Sequence, residues 1–360
     1  MSGLKVTILG LSITSSWGNG HATNYRALVR ALCERGHDVW FLERDQPWYA
    51  AARDMPEPPY GRTELYGSRD DLVDRFGNLI ETSDAVVVGS YVPEGADVGR
   101  WVSSAASGVT AFYDIDTPVT LASLDRDDCA YLDRETVGRF DLYLSFTGGP
   151  ILEVLENRYG ARRAIAFYCM VDEDSYKPVE VERRWDLGYL GTYAPDRQNA
   201  LERLLVEPAR RRPDLRFVVA GPQFPADVSW PPNVERIEHC APEQHAAFYC
   251  AQRFTLNVTR AEMVRRGWSP SVRLFEAAAC GVPVVSDRWE GIESLFVPGR
   301  EILLADTADD VLAALDSSGD AVPRAMGAAA RRRVLAEHTA GRRAAQLERL
   351  VASVATECVR

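Results

Sequence analysis

The sequence is poor in lysine and contains no long apolar run, and both absences narrow the class of protein. Lysine occurs only at Lys5 and Lys177, so arginine supplies almost all of the 41 basic residues, which are outnumbered by 52 acidic ones. The formal net charge of -11 argues against a nucleic-acid-binding protein, because such proteins usually carry a basic surplus. No apolar stretch approaches the roughly 20 residues that a membrane-spanning helix needs. We therefore expect neither a nucleic-acid partner nor a transmembrane segment.

Cysteines are odd in number, and no two are spaced as CxxC. They are Cys33, Cys129, Cys169, Cys240, Cys250, Cys280 and Cys358. This pattern fits neither a disulfide framework nor a zinc site. The first apolar run is too short for a signal peptide and is typical of a first strand. We expect buried thiols in a reducing compartment, and hence a cytoplasmic protein.

Short apolar runs alternate with amphipathic segments of helical length along the chain. Strands are predicted over residues 6–9, 39–42, 85–89, 109–113, 142–146, 164–169, 187–190, 217–220, 255–257, 282–285 and 302–304. Helices are predicted over residues 24–35, 200–211, 243–251, 272–280 and 325–354, and a proline-rich loop over 46–61. The alternation predicts an α/β protein with parallel sheets covered on both faces.

The alternation is interrupted at about residues 171–185, where the chain is charged, contains Pro178 and lacks periodicity. We predict an N-terminal domain over residues 1–170, a linker over 171–185 and a C-terminal domain over 186–334. The last segment, about 335–360, is expected to pack back on the N-terminal domain. Two open parallel sheets joined in this way leave a cleft at the carboxyl ends of their strands, where ligands bind by a general rule.

The strongest local pattern is the stretch SPSVRLFEAAACGVPVVS over residues 269–286. Ser269 suits the N-cap of a helix, and Pro270 suits its first position. Three alanines favour the helix, and Gly281 can take the left-handed conformation that ends it. The pattern predicts a well-defined helix between Ser269 and Gly281.

The start of this helix is a candidate anion site. Free N–H groups and the helix dipole attract an anion there, and Ser269 and Ser271 could add contacts. Arg273 lies in the first turns, where a cation opposes the dipole unless an anion is bound. Glu276 follows one turn later on the same face. The alternative is a capped core helix with an Arg–Glu pair on the surface.

The segment FEAAACGVPVVS at residues 275–286 resembles the nucleotide-sugar motif of GT-B glycosyltransferases, and Arg273 makes it similar to the spore-maturation CgeB-type group. The resemblance implies two Rossmann-like domains facing a central cleft. It also implies that the helix start faces the donor diphosphate and that Glu276 holds the ribose hydroxyls. Many retaining relatives carry a sugar-contacting glutamate where this chain has Trp268. Retention or inversion therefore stays open.

Two further stretches of the second half carry the resemblance. VDEDSYKP at residues 171–178 resembles the segment that opens the second domain, and LGTYAPDR at residues 190–197 resembles its glycine-rich first loop. Gly191 permits a close backbone approach, and Arg197 offers a fork of donors to a diphosphate. The alternative for Arg197 is a solvated arginine at a helix start. The predicted donor-binding residues are Gly191, Thr192, Arg197, Arg260, Ser269, Ser271, Arg273 and Glu276.

The end of a predicted strand supplies Arg260 to this set. NVTR at residues 257–260 could line the site with its polar side chains, or could merely cap the strand. With arginines to neutralise the leaving diphosphate, no bound metal ion is needed, and we predict none.

A glycine-rich loop follows the first predicted strand. Gly18 and Gly20, with Glu43 or Asp45 further on, suggest a dinucleotide fingerprint, but the glycines do not follow the strand at once, so NAD is not favoured. The loop is similar to the opening of several GT-B families, which present it to the acceptor. In some inverting members a histidine at the matching place is the catalytic base. His21 is therefore a candidate base, with helix capping as the alternative.

A later strand ends in two carboxylates. Residues 109–118 read VTAFYDIDTP, with Asp114 and Asp116 in the DxD spacing of metal-dependent transferases. Because the second half points to GT-B, we expect one of these carboxylates to orient His21 rather than to bind a metal ion. Both could equally cap the strand end.

These observations predict transfer of a sugar from a nucleoside-diphosphate sugar to a small-molecule or glycan acceptor, with no cofactor besides the donor. A nucleotide-sugar epimerase and a non-catalytic nucleotide-sugar-binding module are the alternatives, with an NAD-dependent enzyme third. Turnover separates them. A transferase consumes the donor only with an acceptor, an epimerase needs none, and a module only binds.

Overall fold

The computed structural model describes residues 3–17, 20–316 and 319–358. It divides into two compact units, Met1–Met170 with Ala340–Arg360, and Val171–Thr339. We refer to them as the N-terminal and the C-terminal domain. Each is a parallel sheet with helices between its strands.

The N-terminal domain contains strands β1 (Lys5–Gly10), β2 (Asp38–Arg44), β3 (Arg62–Tyr66), β4 (Ala85–Gly89), β5 (Val109–Asp114), β6 (Leu142–Ser145) and β7 (Ala164–Ala166). Its helices are α1 (His21–Glu34), α2 (Pro47–Ala50), α3 (Arg69–Thr82), α4 (Gly95–Ala105), α5 (Thr117–Asp125), α6 (Arg134–Val137), α7 (Ile151–Tyr159) and α15 (Ala340–Cys358). The sheet order is β3-β2-β1-β4-β5-β6-β7, with all pairs parallel. The order therefore reverses between β1 and β4, the switch point at which such sheets bind ligands.

The C-terminal domain contains strands β8 (Trp185–Leu190), β9 (Phe217–Ala220), β10 (Val234–Ile237), β11 (Gln252–Asn257), β12 (Val284–Ser286) and β13 (Leu303–Leu304). Its helices are α8 (Pro195–Leu201), α9 (Glu207–Arg211), α10 (His245–Cys250), α11 (Ala261–Arg266), α12 (Val272–Ala279), α13 (Ala308–Asp316) and α14 (Ala321–Glu337). The sheet order is β10-β9-β8-β11-β12-β13, again parallel. Here the switch point lies between β8 and β11.

Burial explains why the central strands were predictable. Every residue of β4, AVVVG, is buried, as expected for a parallel strand covered on both faces. The edge strands β3 and β10 were not predicted, because their sequences RTELY and VERI are largely polar and their side chains are mostly part-exposed. The predicted loop over residues 46–61 contains the short helix α2.

The prediction of one terminal helix over residues 325–354 is wrong. The segment forms two helices, α14 and α15, separated at His338 and Thr339. The His338 carbonyl accepts a hydrogen bond from the Val171 amide at 3.0 Å, and Thr339 forms a bridge with Val171. The His338 ring also stacks on Phe275, with 4.3 Å between ring centroids. These contacts take the backbone out of the helical hydrogen-bond pattern.

Helix α15 is fastened within the N-terminal domain by Glu348. Its Oε1 accepts hydrogen bonds from Arg35 Nε at 2.5 Å and from His37 Nε2 at 2.6 Å. The hydrogen bond from Arg35 is the main cause that lowers the pKa of Glu348 to about 2. Glu348 therefore stabilises the folded state above its unfolded pKa of about 4.3 and loses this contribution as the pH falls toward 2.

We predict that Glu348→Gln lowers the free energy of unfolding at neutral pH by about 1–3 kcal/mol, because charged hydrogen bonds are lost. In urea denaturation, the variant should also lack part of the wild-type loss of stability between about pH 4.5 and 2. Glu357→Gln is the control on the same helix, since Glu357 is 71% exposed and lies 3.7 Å from Arg163. Equal effects of the two variants would contradict this role of Glu348.

Candidate functional site

Asn257 organises the carboxyl edge of the C-terminal sheet. It is the last residue of β11 and is fully buried. Its Oδ1 accepts hydrogen bonds from Ser271 Oγ at 2.7 Å and Arg273 Nη1 at 2.8 Å. Its Nδ2 donates to Ser286 Oγ at 2.9 Å and to Thr259 Oγ1 at 3.2 Å. One amide therefore joins the ends of β11 and β12 to the start of α12.

Helix α12 begins at Val272, as the predicted range 272–280 has it, but its N-cap differs from the predicted one. Its N-cap is Ser271, with φ of -82° and ψ of 152°, and not Ser269. The Ser269 hydroxyl instead donates to the Gly267 carbonyl at 3.1 Å, and the Ser271 hydroxyl donates to Asn257 rather than to the helix. Side-chain bonds to neighbouring loops therefore replace the expected cap.

The end of α12 agrees with the sequence prediction. Gly281 has φ of 73°, the left-handed conformation that glycine adopts without steric cost. Its amide donates to Ala278 at 2.9 Å, and the Val282 amide donates to Ala277 at 3.0 Å. These two bonds satisfy the last carbonyls of the helix.

Arg273 is buried at the second position of α12, with an exposed fraction of 6%. Its Nε donates to the Leu190 carbonyl, and its guanidinium carbon lies 4.7 Å from the centroid of the Tyr189 ring. Glu276 is also buried, at 5% exposure. The alternative of an Arg–Glu pair on the surface is therefore wrong.

Gly191 leaves the space that the Arg273 guanidinium needs. A Cβ atom at Gly191 would lie 2.7 Å from Arg273 Nη2 and 2.7 Å from Tyr189 Oη. Its amide is held by the Ala220 carbonyl at 2.9 Å. The glycine directly after β8 therefore leaves room for both the buried arginine and the Tyr189 hydroxyl.

Two more predicted arginines lie near Arg273. Arg197 is half-buried, and its Nη2 donates to the Thr192 carbonyl at 2.7 Å. Burial lowers the pKa of Arg197, and the positive charges of Arg273 and Arg260 lower it further. Arg260 Nε lies 3.6 Å from the Asp196 carboxylate. The structure thus concentrates three positive charges at the β8–β11 switch point.

The buried carboxylate of Asp287 lies at this edge of the sheet and binds Thr259 of the same domain. Asp287 accepts hydrogen bonds from the amide and the hydroxyl of Thr259, at 2.9 and 2.8 Å. Burial raises the pKa of Asp287, and these bonds and the charge of Arg273 oppose that shift. Asp287 was not predicted as a site residue.

Glu276 is oriented by tyrosines that the sequence analysis missed. The Tyr249 hydroxyl donates to Glu276 Oε2 at 2.9 Å. The Tyr176 hydroxyl lies within hydrogen-bond reach of the same carboxylate and 3.1 Å from His245 Nδ1. Burial raises the pKa of both tyrosines, and the charge of Glu276 adds to the shift. Both hydroxyls therefore stay protonated and can act as donors.

A second polar group lies at the β1–β4 switch point of the N-terminal domain. His21 is the first residue of α1, which begins earlier than predicted, and its ring stacks on Tyr91 with 6.1 Å between centroids. The Tyr91 hydroxyl donates to Asp116 Oδ2 at 2.9 Å. Tyr91 has φ of 66°, a strained conformation for a bulky residue that often marks functional sites.

Asp114 is held by side chains outside this group. It is fully buried and accepts hydrogen bonds from Tyr143 Oη at 2.5 Å and Thr120 Oγ1 at 2.7 Å. Burial raises the pKa of Asp114 to about 6. Of the two predicted carboxylates, the structure therefore brings Asp116, and not Asp114, to the residue on which His21 stacks.

Glu43 and Asp45, the two carboxylates that could have completed a dinucleotide fingerprint, bind other residues of the protein. Glu43 is fully buried and accepts hydrogen bonds from Ser12, Ile13 and Thr14. Asp45 pairs with Arg53 at 2.6 Å. Gly18 lies outside the described residues. The loop after β1 is thus held by Glu43.

The described ranges contain neither a candidate metal cluster nor a candidate membrane-spanning helix. No group of three or more histidine, cysteine, aspartate or glutamate residues there could hold a metal ion. In the same part of the chain, no helix combines the length and apolarity needed to cross a membrane.

Comparisons with known proteins agree with this architecture. Residues 197–349 match the model of a family described as glycosyl transferase-like. Sucrose-phosphate synthase from Thermosynechococcus elongatus superposes with a TM-score of 0.70 at 15% identity, covering 98% of this chain and 100% of that chain. Anabaena Alr3699/HepE in complex with UDP-glucose gives 0.71 at 13% identity, covering 97% and 100%. The chain has the GT-B fold.

A third solved structure has the same architecture. An alpha-glucosyltransferase in complex with UDP-glucose and DNA gives a TM-score of 0.71 at 12% identity, covering 98% of this chain and 100% of that chain. No curated protein sequence matches this chain. The prediction of two Rossmann-like parallel-sheet domains is confirmed.

We predict that Gly191→Ala lowers the free energy of unfolding by about 1–3 kcal/mol, because the new methyl group displaces the Arg273 guanidinium. Gly77→Ala is the control, since a Cβ at that helical position meets nothing within 4 Å. That variant should be neutral or slightly stabilising. Urea denaturation measures both.

A double-mutant cycle tests the cause of this effect. In the Arg273→Ala background, Gly191→Ala should cost less than in the wild type, because the clashing group is gone. Additive effects would show that the methyl group clashes with something other than Arg273.

Proposed function

We propose that the chain is a metal-independent glycosyltransferase. The C-terminal domain binds a nucleoside-diphosphate sugar, and the N-terminal domain binds an acceptor, a small molecule or a glycan, whose hydroxyl receives the sugar. The observation that carries the proposal is the convergence of Arg197, Arg260 and Arg273 at the switch point of the domain to which most of the glycosyl transferase-like match belongs.

The three arginines supply the charge that a departing nucleoside diphosphate requires. Arg273 is already desolvated and fixed by Leu190 and Asn257, so it needs no reorganisation when the leaving group gains charge. The N–H groups at the start of α12 add a second source of positive potential, beside Ser269 and Ser271. Because protein cations do this work, we propose no bound metal ion.

Glu276 is proposed to hold the ribose hydroxyls of the donor. The Tyr249 hydroxyl donates to its Oε2 and the Tyr176 hydroxyl also reaches this carboxylate, so we assign the ribose contact to the acceptor positions that the two tyrosines leave open. A carboxylate with one oxygen fixed by a buried donor loses little further freedom on binding a ligand. Tyr249 is therefore a positioning residue for the ribose.

His21 is proposed as the general base that removes the proton of the acceptor hydroxyl. Its neighbour Tyr91 links it to the carboxylate of Asp116. Asp114 is excluded from this role by its own bonds to Tyr143 and Thr120. The group therefore has an imidazole and a carboxylate joined through a tyrosine.

The subgroup, the cellular location and the identity of the donor rest on other observations than the geometry of the site. We propose that the chain belongs to the CgeB-type group, because Arg273 precedes Phe275-Glu276 in the motif. We also propose a cytoplasmic location, which rests on the cysteine pattern. Several similar structures contain UDP or UDP-glucose, so UDP-glucose is the first donor to test.

The donor site is tested by titration calorimetry with UDP. Glu276→Gln should weaken binding by roughly 1–2 kcal/mol, because a charged acceptor becomes neutral. Arg273→Ala should weaken the binding of UDP more than that of uridine, because only UDP carries the diphosphate. Arg288→Ala is the control: this arginine is 53% exposed and pairs with Asp306 in the same domain.

Circular dichroism and thermal unfolding confirm that each variant is folded before titration. Unchanged UDP affinity in folded Glu276→Gln and Arg273→Ala would reduce α12 to a structural helix. Donor consumption that proceeds equally well without any acceptor would favour an epimerase over a transferase.

The base is tested by kinetics across pH. His21→Ala should leave UDP affinity unchanged and lower acceptor-dependent turnover by about 10²–10⁴ fold, the range of one acid–base group. The acid limb of the wild-type pH profile should disappear in the variant. His239→Ala is the control, since His239 is exposed in the C-terminal domain.

Tyr91→Phe isolates the link to Asp116. The variant keeps the ring on which His21 stacks and removes only the hydroxyl, which donates a hydrogen bond to Asp116. We expect turnover between those of the wild type and His21→Ala, with a shifted acid limb. A His21→Ala variant with wild-type turnover would reject the base assignment.

A further inference from the structure

Two cysteines contact each other where α10 and α12 meet. Cys250 is the last residue of α10, and Cys280 directly follows α12. The Cys250 thiol donates to the Cys280 carbonyl oxygen at 3.8 Å, which brings Cys250 Sγ next to the residue that carries the second thiol. The Val179 amide also donates to Cys250 Sγ, at 3.5 Å.

The two thiols differ in reactivity. Cys250 is half-buried, and hydrogen bonds from the Cys280 thiol and the Val179 amide lower its pKa to about 7. Cys280 is buried, with an exposed fraction of 3%, and its pKa is raised. A thiolate is the attacking form of cysteine, so Cys250 reacts first and Cys280 is the resolving thiol.

We propose that Cys250 and Cys280 form a redox-sensitive dithiol–disulfide site that controls the geometry of Glu276. The oxidant is a low-molecular-weight disulfide such as glutathione disulfide. The Cys250 thiolate attacks one sulfur of this disulfide and releases one small thiol. The Cys280 thiolate then attacks the Cys250 sulfur and releases the second. The dithiol is oxidised by two electrons, and its two protons end on the released thiols.

The cysteine pair and the Glu276 carboxylate are mechanically linked. Tyr249, which donates to Glu276, immediately precedes Cys250, and the Cys280 amide donates to the Glu276 carbonyl at 3.1 Å. The two pairs thus join the same two helix ends: they are adjacent in sequence on α10 and one helical turn apart at the end of α12. A disulfide requires the sulfurs to approach to about 2.05 Å, which draws the helix ends together. The Tyr249–Glu276 hydrogen bond is the contact that must adjust.

The effect on Glu276 rests on the proposed donor site, but formation of the bond does not. The reduced full-length chain is incubated with glutathione disulfide, and peptide mapping by mass spectrometry locates new disulfides. We expect a peptide that joins Cys250 to Cys280 and disappears with dithiothreitol. The oxidised chain should bind UDP roughly threefold to tenfold more weakly, the range of one neutral hydrogen bond.

Three variants complete the experiment. Cys250→Ser and Cys280→Ser should keep the UDP affinity of the reduced wild type and lose its response to glutathione disulfide. Cys129→Ser is the control, since Cys129 is half-buried in the N-terminal domain, and it should respond like the wild type. A mixed disulfide that remains on Cys250, or a folded chain with no 250–280 peptide, would overturn the pairing.

Nucleotide binding separates the two proposals. A 250–280 disulfide that leaves UDP affinity unchanged would overturn the link to Glu276. A reduced wild type that fails to bind UDP would count against the proposed function alone, because the peptide map still decides the disulfide.

Discussion

The C-terminal site depends on keeping the Arg273 guanidinium buried. A buried cation is costly, and the second position of a helix adds an unfavourable dipole. The chain offsets this cost with the Leu190 carbonyl, the Asn257 oxygen and the face of Tyr189. Gly191 leaves the room that this guanidinium occupies, since a Cβ there would lie 2.7 Å from Arg273 Nη2. Folding thus prepares a fixed positive charge at a strand edge before any ligand arrives.

The sequence predicted those parts of the fold that local patterns determine, and it missed those that tertiary hydrogen bonds determine. Central strands such as β4 and β9 have apolar residues only, and the end of α12 follows from Gly281, so local patterns sufficed. The N-cap of α12 did not follow, because Ser269 and Ser271 are bound by Gly267 and Asn257. Local propensity favoured a cap at Ser269, and the tertiary hydrogen bonds of Asn257 placed it at Ser271. Edge strands β3 and β10 have at least as many polar as apolar residues, so their apolar signal is weak.

The residues of the candidate site likewise fall into those that a local motif predicted and those that the sequence analysis missed. Arg273, Glu276 and Arg197 were predicted because they fall in or beside a compact motif. Tyr249 and Tyr91 were missed, because they reach their carboxylates across sequence separations of 27 and 25 residues. No local pattern marks such a pair. A polar aromatic residue just after a buried strand, as at Tyr91, is the one signal that could have suggested it.

The distribution of charge supports the proposed division of labour between the domains. The β8–β11 switch point holds three arginines beside the carboxylates of Asp196 and Asp287, whereas the β1–β4 switch point holds His21 with the carboxylate of Asp116 and the fully buried Asp114. A diphosphate brought to the second group would meet negative charge in a poorly solvated place, which is strongly unfavourable. A neutral hydroxyl acceptor meets no such penalty and can give its proton to an imidazole. The same strand topology therefore presents an anion site in one domain and a proton-accepting site in the other.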